Sequence, residues 1–137
     1  MKPVYQTEFG GEKGNCFAAC LASVFEIPIE AAPDLWAGEQ RGLYWVQIVN
    51  DWLKPRGLWY CDVKFLGISP KGYHLIGGQS ARGLSHAVVG FNGEMVHDPH
   101  PNGTGLVEVQ DFGLFIARDP SLLLASGTPM LAGRTLP

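Results

Sequence analysis

The chain has 137 residues, of which 46% are hydrophobic and 17% charged, and it carries a formal net charge of −3. That is the composition of an ordinary globular domain able to bury roughly two-thirds of its unfolded surface, so 1–137 is expected to fold as a single domain without staples. Ten Lys and Arg are scattered among thirteen Asp and Glu, which excludes nucleic acid and an anionic membrane as expected partners. Three cysteines, an odd number, argue against a disulfide framework. The start Met1-Lys2-Pro3-Val4-Tyr5-Gln6 lacks the apolar run of a signal peptide, and no stretch is long enough to span a bilayer. The expected compartment is the reducing cytoplasm.

Residues 1–14 read as a lead-in ending in the Gly-rich loop Phe9-Gly10-Gly11-Glu12-Lys13-Gly14, with Gln6 its side-chain amide. From Asn15, a good N-cap, small and apolar residues predict a buried helix from Cys16 to about Phe25, closed by Ile27-Pro28. A short helical turn interrupted at Pro33 is expected within 29–36, and then a polar loop from Ala37 to Gly42. Trp45, Ile48, Val49 and Trp52 recur at helical spacing within Leu43 to Lys54, and their stripe is expected to be core. Short β-rich runs follow: 58–66, 73–76, 87–91, 94–97, 106–109 and 112–117. Helices first and strands after predict an α+β domain in which an N-terminal helix packs on a mainly antiparallel sheet. Leu122 to Ala125 read as a last helical turn inside an extended tail, 121–137.

Two stretches can carry chemistry. Cys16 falls on the first turn of its helix, where free N–H groups and the helix dipole favour a thiolate, the nucleophile for carbonyl carbon. In Ser85 to His100, Asn92-Gly93 between two apolar runs signals a hairpin that brings His86 and Asp98 to one end of the sheet. His86 matches the general base that a thiol needs, and Asp98 the group that orients that base. A strict two-residue loop sets His86 opposite Pro99 and gives the face of His86 to His97, with Asp98 turned away. An irregularity, either a longer bulged loop or a kink at Asp98-Pro99, is therefore predicted. His97 is the alternative third member. The backbone N–H of Cys16 with the amide of Gln6, or behind it that of Asn15, is the expected oxyanion hole. Singly, Cys16 also reads as a small core residue, His86 as an edge-strand residue and Asp98-Pro99 as a turn; together they read as a site.

In Gly14-Asn15-Cys16-Phe17-Ala18-Ala19-Cys20-Leu21-Ala22, Ser85-His86-Ala87-Val88-Val89 and Val96-His97-Asp98-Pro99, the chain resembles papain-like cysteine peptidases. It is most similar to the double-glycine (bacteriocin) leader peptidase branch. The resemblance covers roughly residues 1 to 117 and implies a papain-like fold with the thiolate between helix and sheet. It also implies a thiol hydrolase, a cysteine peptidase or amidase, that cleaves a peptide or peptide-like substrate through Cys16, His86 and Asp98 and a thioester. Two positions depart from the relatives: the oxyanion glutamine lies about six residues before the cysteine in them, where this chain has Gly10, and Asn15 stands where they often have aspartate. The alternative is an inactive module of the same fold that binds a protein or a small molecule. Cys16, Cys20, His86, His97, Asp98 and His100 lack the spacing of a zinc finger, so neither a metal nor an organic cofactor is expected.

Overall fold

The computed structural model describes residues 1–64, 67, 69–121, 130–131 and 134–135. Three helices, α1 (Cys16–Phe25), α2 (Leu35–Gln40) and α3 (Trp45–Leu53), precede five strands: β1 (Leu58–Lys64), β2 (Tyr73–Ser80), β3 (Ser85–Phe91), β4 (Glu94–His97) and β5 (Leu106–Ala117). The strands form one antiparallel sheet in the order β1-β5-β2-β3-β4. The architecture is α+β. Two further strands, β6 (Met130–Leu131) and β7 (Arg134–Thr135), pair with each other. The helical turn expected at Leu122 to Ala125 lies outside the described residues.

Small residues let α1 approach the sheet. Ala18, Ala19, Cys20 and Ala22 are buried along it, and Cys20 and Leu21 join Leu75, Ala87 and Val89 in the main core. Glu26 ends α1 in the left-handed conformation, φ 57°, its N–H returning to the carbonyl of Ala22 in the manner of a helix C-cap. The aromatic stripe of α3 is core, as its periodicity predicts. Trp45 packs edge-on against Phe17 and Tyr60 at 5.4 and 5.8 Å, and Trp52 against Phe25 at 5.4 Å. On the opposite face of the sheet, Ile76, Val88 and Phe112 form a second, smaller core.

Three expectations need correction. The polar loop at Ala37 to Gly42 is largely helix, because Asp34 caps α2 by accepting the N–H of Ala37 at 3.0 Å. Strand β2 runs on to Ser80, so Gly77 and Gly78 belong to the sheet and not to a loop. The two runs 106–109 and 112–117 are one strand, β5. Gln110 stands out of register there, since Gly77 pairs Asp111 while Gly78 pairs Val109, and a bulge at that point breaks the apolar alternation that reveals a strand.

Candidate active site

The hairpin β3–β4 turns at Asn92 and Gly93, both at positive φ (53° and 89°), as a two-residue loop of the Asn-Gly kind demands. Phe91 pairs Glu94 and Gly90 pairs Met95, but Val89 then pairs His97, so Val96 is a bulge. This is the predicted irregularity, placed in β4 and not in the loop or at Asp98-Pro99. Beyond it the register moves by one residue, and Asp98 comes to the face of His86. His86 Nε2 lies 2.7 Å from Asp98 Oδ1, with the two side chains only 3% and 2% exposed.

Both carboxylate oxygens of Asp98 are used. Oδ1 also accepts the N–H of His100 at 2.9 Å, and Oδ2 that of Gly105 at 2.8 Å. Burial works against the charge of this carboxyl, but the His86 ring and the two backbone N–H groups outweigh it and hold its pKa below the ordinary value. An ionised carboxylate can only accept. His86 Nε2 therefore carries the hydrogen of this bond, and Nδ1 is the ring nitrogen left for another partner. The ring of His100 stands edge-on to His86, centroids 6.4 Å apart.

Cys16 is the first residue of α1 and is half-buried. It shares with His86 a cleft of about 740 Å³ between the helices and the sheet, and a smaller cavity of about 160 Å³ that Gln6 also lines. Its thiol is not the lowered one expected from the helix start. Burial pushes its pKa up, and the negative charge of Asp98 adds to this, against the opposing pull of the N–H groups of Ala87, Phe17 and Cys16 itself. Trp36, Gly77 and Gly78 line the larger cleft.

The lead-in reaches this site although Gln6 lies ten residues before Cys16. The N–H of Asn15 donates to the carbonyl of Glu8 at 3.2 Å, and Gly14 closes back on the carbonyl of Gly10 at 3.2 Å, so the glycine loop is pinched out. Gln6 is 8% exposed. Its N–H donates to the carbonyl of Pro99 at 3.0 Å, and its Nε2 donates one hydrogen to the carbonyl of Glu8 at 2.9 Å. Oε1 has no partner among the described residues. Asn15 does not cap α1 with its side chain. Its Oδ1 accepts the N–H groups of Thr7 and Glu8, both at 2.9 Å, and Nδ2 donates to Thr7 Oγ1. Asn15 thus holds the lead-in, with one Nδ2 hydrogen not used in these bonds. His97 is not beside His86 either: its Nε2 lies 2.7 Å from the carbonyl oxygen of Val4. Among the described residues no three His, Cys, Asp or Glu side chains are grouped to hold a metal ion. No single helix there is long and apolar enough to cross a membrane.

Compared with protein-family models, curated proteins and solved structures, the chain matches none.

The shifted groups set the pH range of the fold. Asp98 and His74, the latter pushed down by burial against a weaker pull from the Gly72 carbonyl, are both lowered in the folded state. Each gives stability above its unfolded pKa that is lost as pH falls through the folded one. Buried Cys16 and Cys20 are raised, and their contribution is full below the unfolded thiol value and lost as pH rises through the folded value. The melting temperature is expected to decline below about pH 6.5, again below about pH 4, and above about pH 8.5. His74→Leu should remove the first decline; a melting curve that kept it in this variant would refute the assignment.

Proposed function

We propose that the chain is a cysteine hydrolase of the papain-like class that cleaves an amide bond in a peptide or peptide-like substrate. The observation that carries this reading is the buried 2.7 Å contact of His86 with Asp98, on the cleft that also holds Cys16. His86 Nδ1 takes the Sγ proton as sulfur bonds to the carbonyl carbon. The charge that develops on oxygen is met by the N–H of Cys16 and by the remaining Nε2 hydrogen of Gln6. Collapse breaks the C–N bond, and His86 returns the proton to the leaving amine. Water then attacks the thioester, giving a proton to His86, and the C–S bond breaks to restore the thiol.

Glu12, Glu39, Asp62 and Asp111 line the cleft with no lysine or arginine, and Asp62 is pushed up by burial and by the neighbouring charge of Asp111, partly offset by Lys64. That lining supports neutral or basic side chains next to the scissile bond. A peptide library cut mainly beside acidic residues would count against that preference. The three free cysteines support work in a reducing compartment such as the cytoplasm.

The test is acylation by p-nitrophenyl acetate, followed by mass spectrometry. An acetyl group is expected on Cys16 in the wild-type protein and at least about tenfold more slowly in His86→Ala. Equal rates in the two proteins would overturn the hydrolase. They would favour the second reading, an inactive module of this fold that binds a protein or small molecule, for which the raised Cys16 thiol is the supporting observation.

A further inference from the structure

We propose that His97 is a positioning residue for the oxyanion site, fixing the segment that carries Gln6; this rests on the hydrolase reading above. Residues 4–8 belong to no helix or strand, so side chains must hold them. On one side the helix supplies Ser23, whose Oγ accepts the N–H of Val4 at 2.9 Å, and Asn15, which accepts Thr7 and Glu8. On the other side the end of β4 supplies His97, 7% exposed, whose Nε2–H donates to the carbonyl of Val4 at 2.7 Å. The ring of Tyr5 closes edge-on over the same imidazole at 5.0 Å. Two residues on, the backbone of Gln6 is tied to Pro99.

Ser23 does not duplicate this hold. Its hydroxyl lies 3.3 Å from the Val4 carbonyl but 2.8 Å from that of Ala19, and one hydrogen serves one strong acceptor. Loss of His97 leaves the Val4 carbonyl short of a buried donor and the chain there held only through the Val4 N–H on Ser23, two residues before Gln6. A misplacement of about 1 Å in such a group can cost roughly a hundredfold in rate. The consecutive residues His97 and Asp98 thus serve the two halves of the site. Asp98 orients the base from one face of the hairpin end, and His97 anchors the oxyanion donor from the other.

Two reagents separate positioning from general damage. Acylation of Cys16 by p-nitrophenyl acetate passes through an oxyanion, whereas alkylation by iodoacetamide at alkaline pH does not. In His97→Ala the acylation rate is expected to fall about tenfold or more, with alkylation changed less than about twofold. His97→Gln, whose amide reaches where Nε2 stood, should restore most of the acylation rate. His97→Ala combined with Gln6→Ala should be no slower than Gln6→Ala alone, since both act through one donor.

Folding is read from Cys20, which is fully buried and is labelled only if the chain opens. If His97→Ala is open, His97→Met, which fills the space without a donor, takes its place; if that too is open, His97 is structural and the proposal fails. It also fails if acylation and alkylation fall together, if neither falls, or if the double variant is slower than Gln6→Ala. Wild-type acylation no faster than His86→Ala would instead bring down the hydrolase reading itself.

Discussion

Asp98→Asn is expected to slow acylation of Cys16 by on the order of 10³- to 10⁴-fold, far more than it weakens the fold. The carboxylate receives three hydrogens, from His86 Nε2, His100 N–H and Gly105 N–H. An asparagine oxygen can keep two of them, at the position of Oδ1. Its amino group then meets the N–H of Gly105, donor against donor in a buried place, at a cost of about 1–3 kcal/mol. Turned the other way, it forces the proton of His86 onto Nδ1, the atom that receives the proton of Cys16 in the proposed reaction. In either orientation the imidazolium formed during attack has lost its counter-charge. Acylation rates and urea midpoints on the same two proteins decide the matter: a rate loss no larger than the stability loss predicts would remove Asp98 from the chemistry.

Gly78→Ala is expected to be the more damaging of two neighbouring glycine substitutions, lowering stability by about 3 kcal/mol or more. A Cβ at Gly78 would be driven into the backbone carbonyl of Glu108 and against the Cα of Val109, neither of which can rotate away. At Gly77 the added Cβ meets only the carboxyl end of Asp111, which can swing aside. The two glycines sit where the β2–β5 register shifts, on the floor of the cleft. Urea unfolding of both variants, with unchanged m values, should order them Gly78→Ala well below Gly77→Ala; equal midpoints would mean that the sheet absorbs the clash.

What was legible in the sequence was mostly local. The run of small residues after Asn15 and the stop at Pro28 place α1 at its observed ends, and Asn92-Gly93 places the hairpin. Counting alternation from that turn even shows that Asp98 faces the wrong way without an irregularity. It does not say where the irregularity falls, because Met95 and Val96 are both apolar and both exposed, so no buried position between turn and His97 marks the extra residue. Tertiary facts were out of reach for the same kind of reason. The hydrogen-bonding partners of Asn15 lie in the chain before it, and although the loop that brings Gln6 back to Cys16 needs glycine at Gly10 (φ 106°) and at Gly14, where a Cβ would meet the Gly10 carbonyl, glycines alone do not say which backbone groups close it. The direction of the Cys16 shift depends on how much protein surrounds the sulfur, and a helix start alone reports only the opposing influence.

The half-buried setting of Cys16, which pushes its thiol pKa up, also bears on chemical durability. Peroxide oxidises thiolates, and a sulfur stored as a thiol stands low in susceptibility on the path to sulfenic and sulfinic acids. The same enclosure is therefore expected to spare the sulfur from oxidants. In the proposed hydrolase, this would give up a standing pool of reactive sulfur in exchange for slower loss of the nucleophile to an oxidising surge.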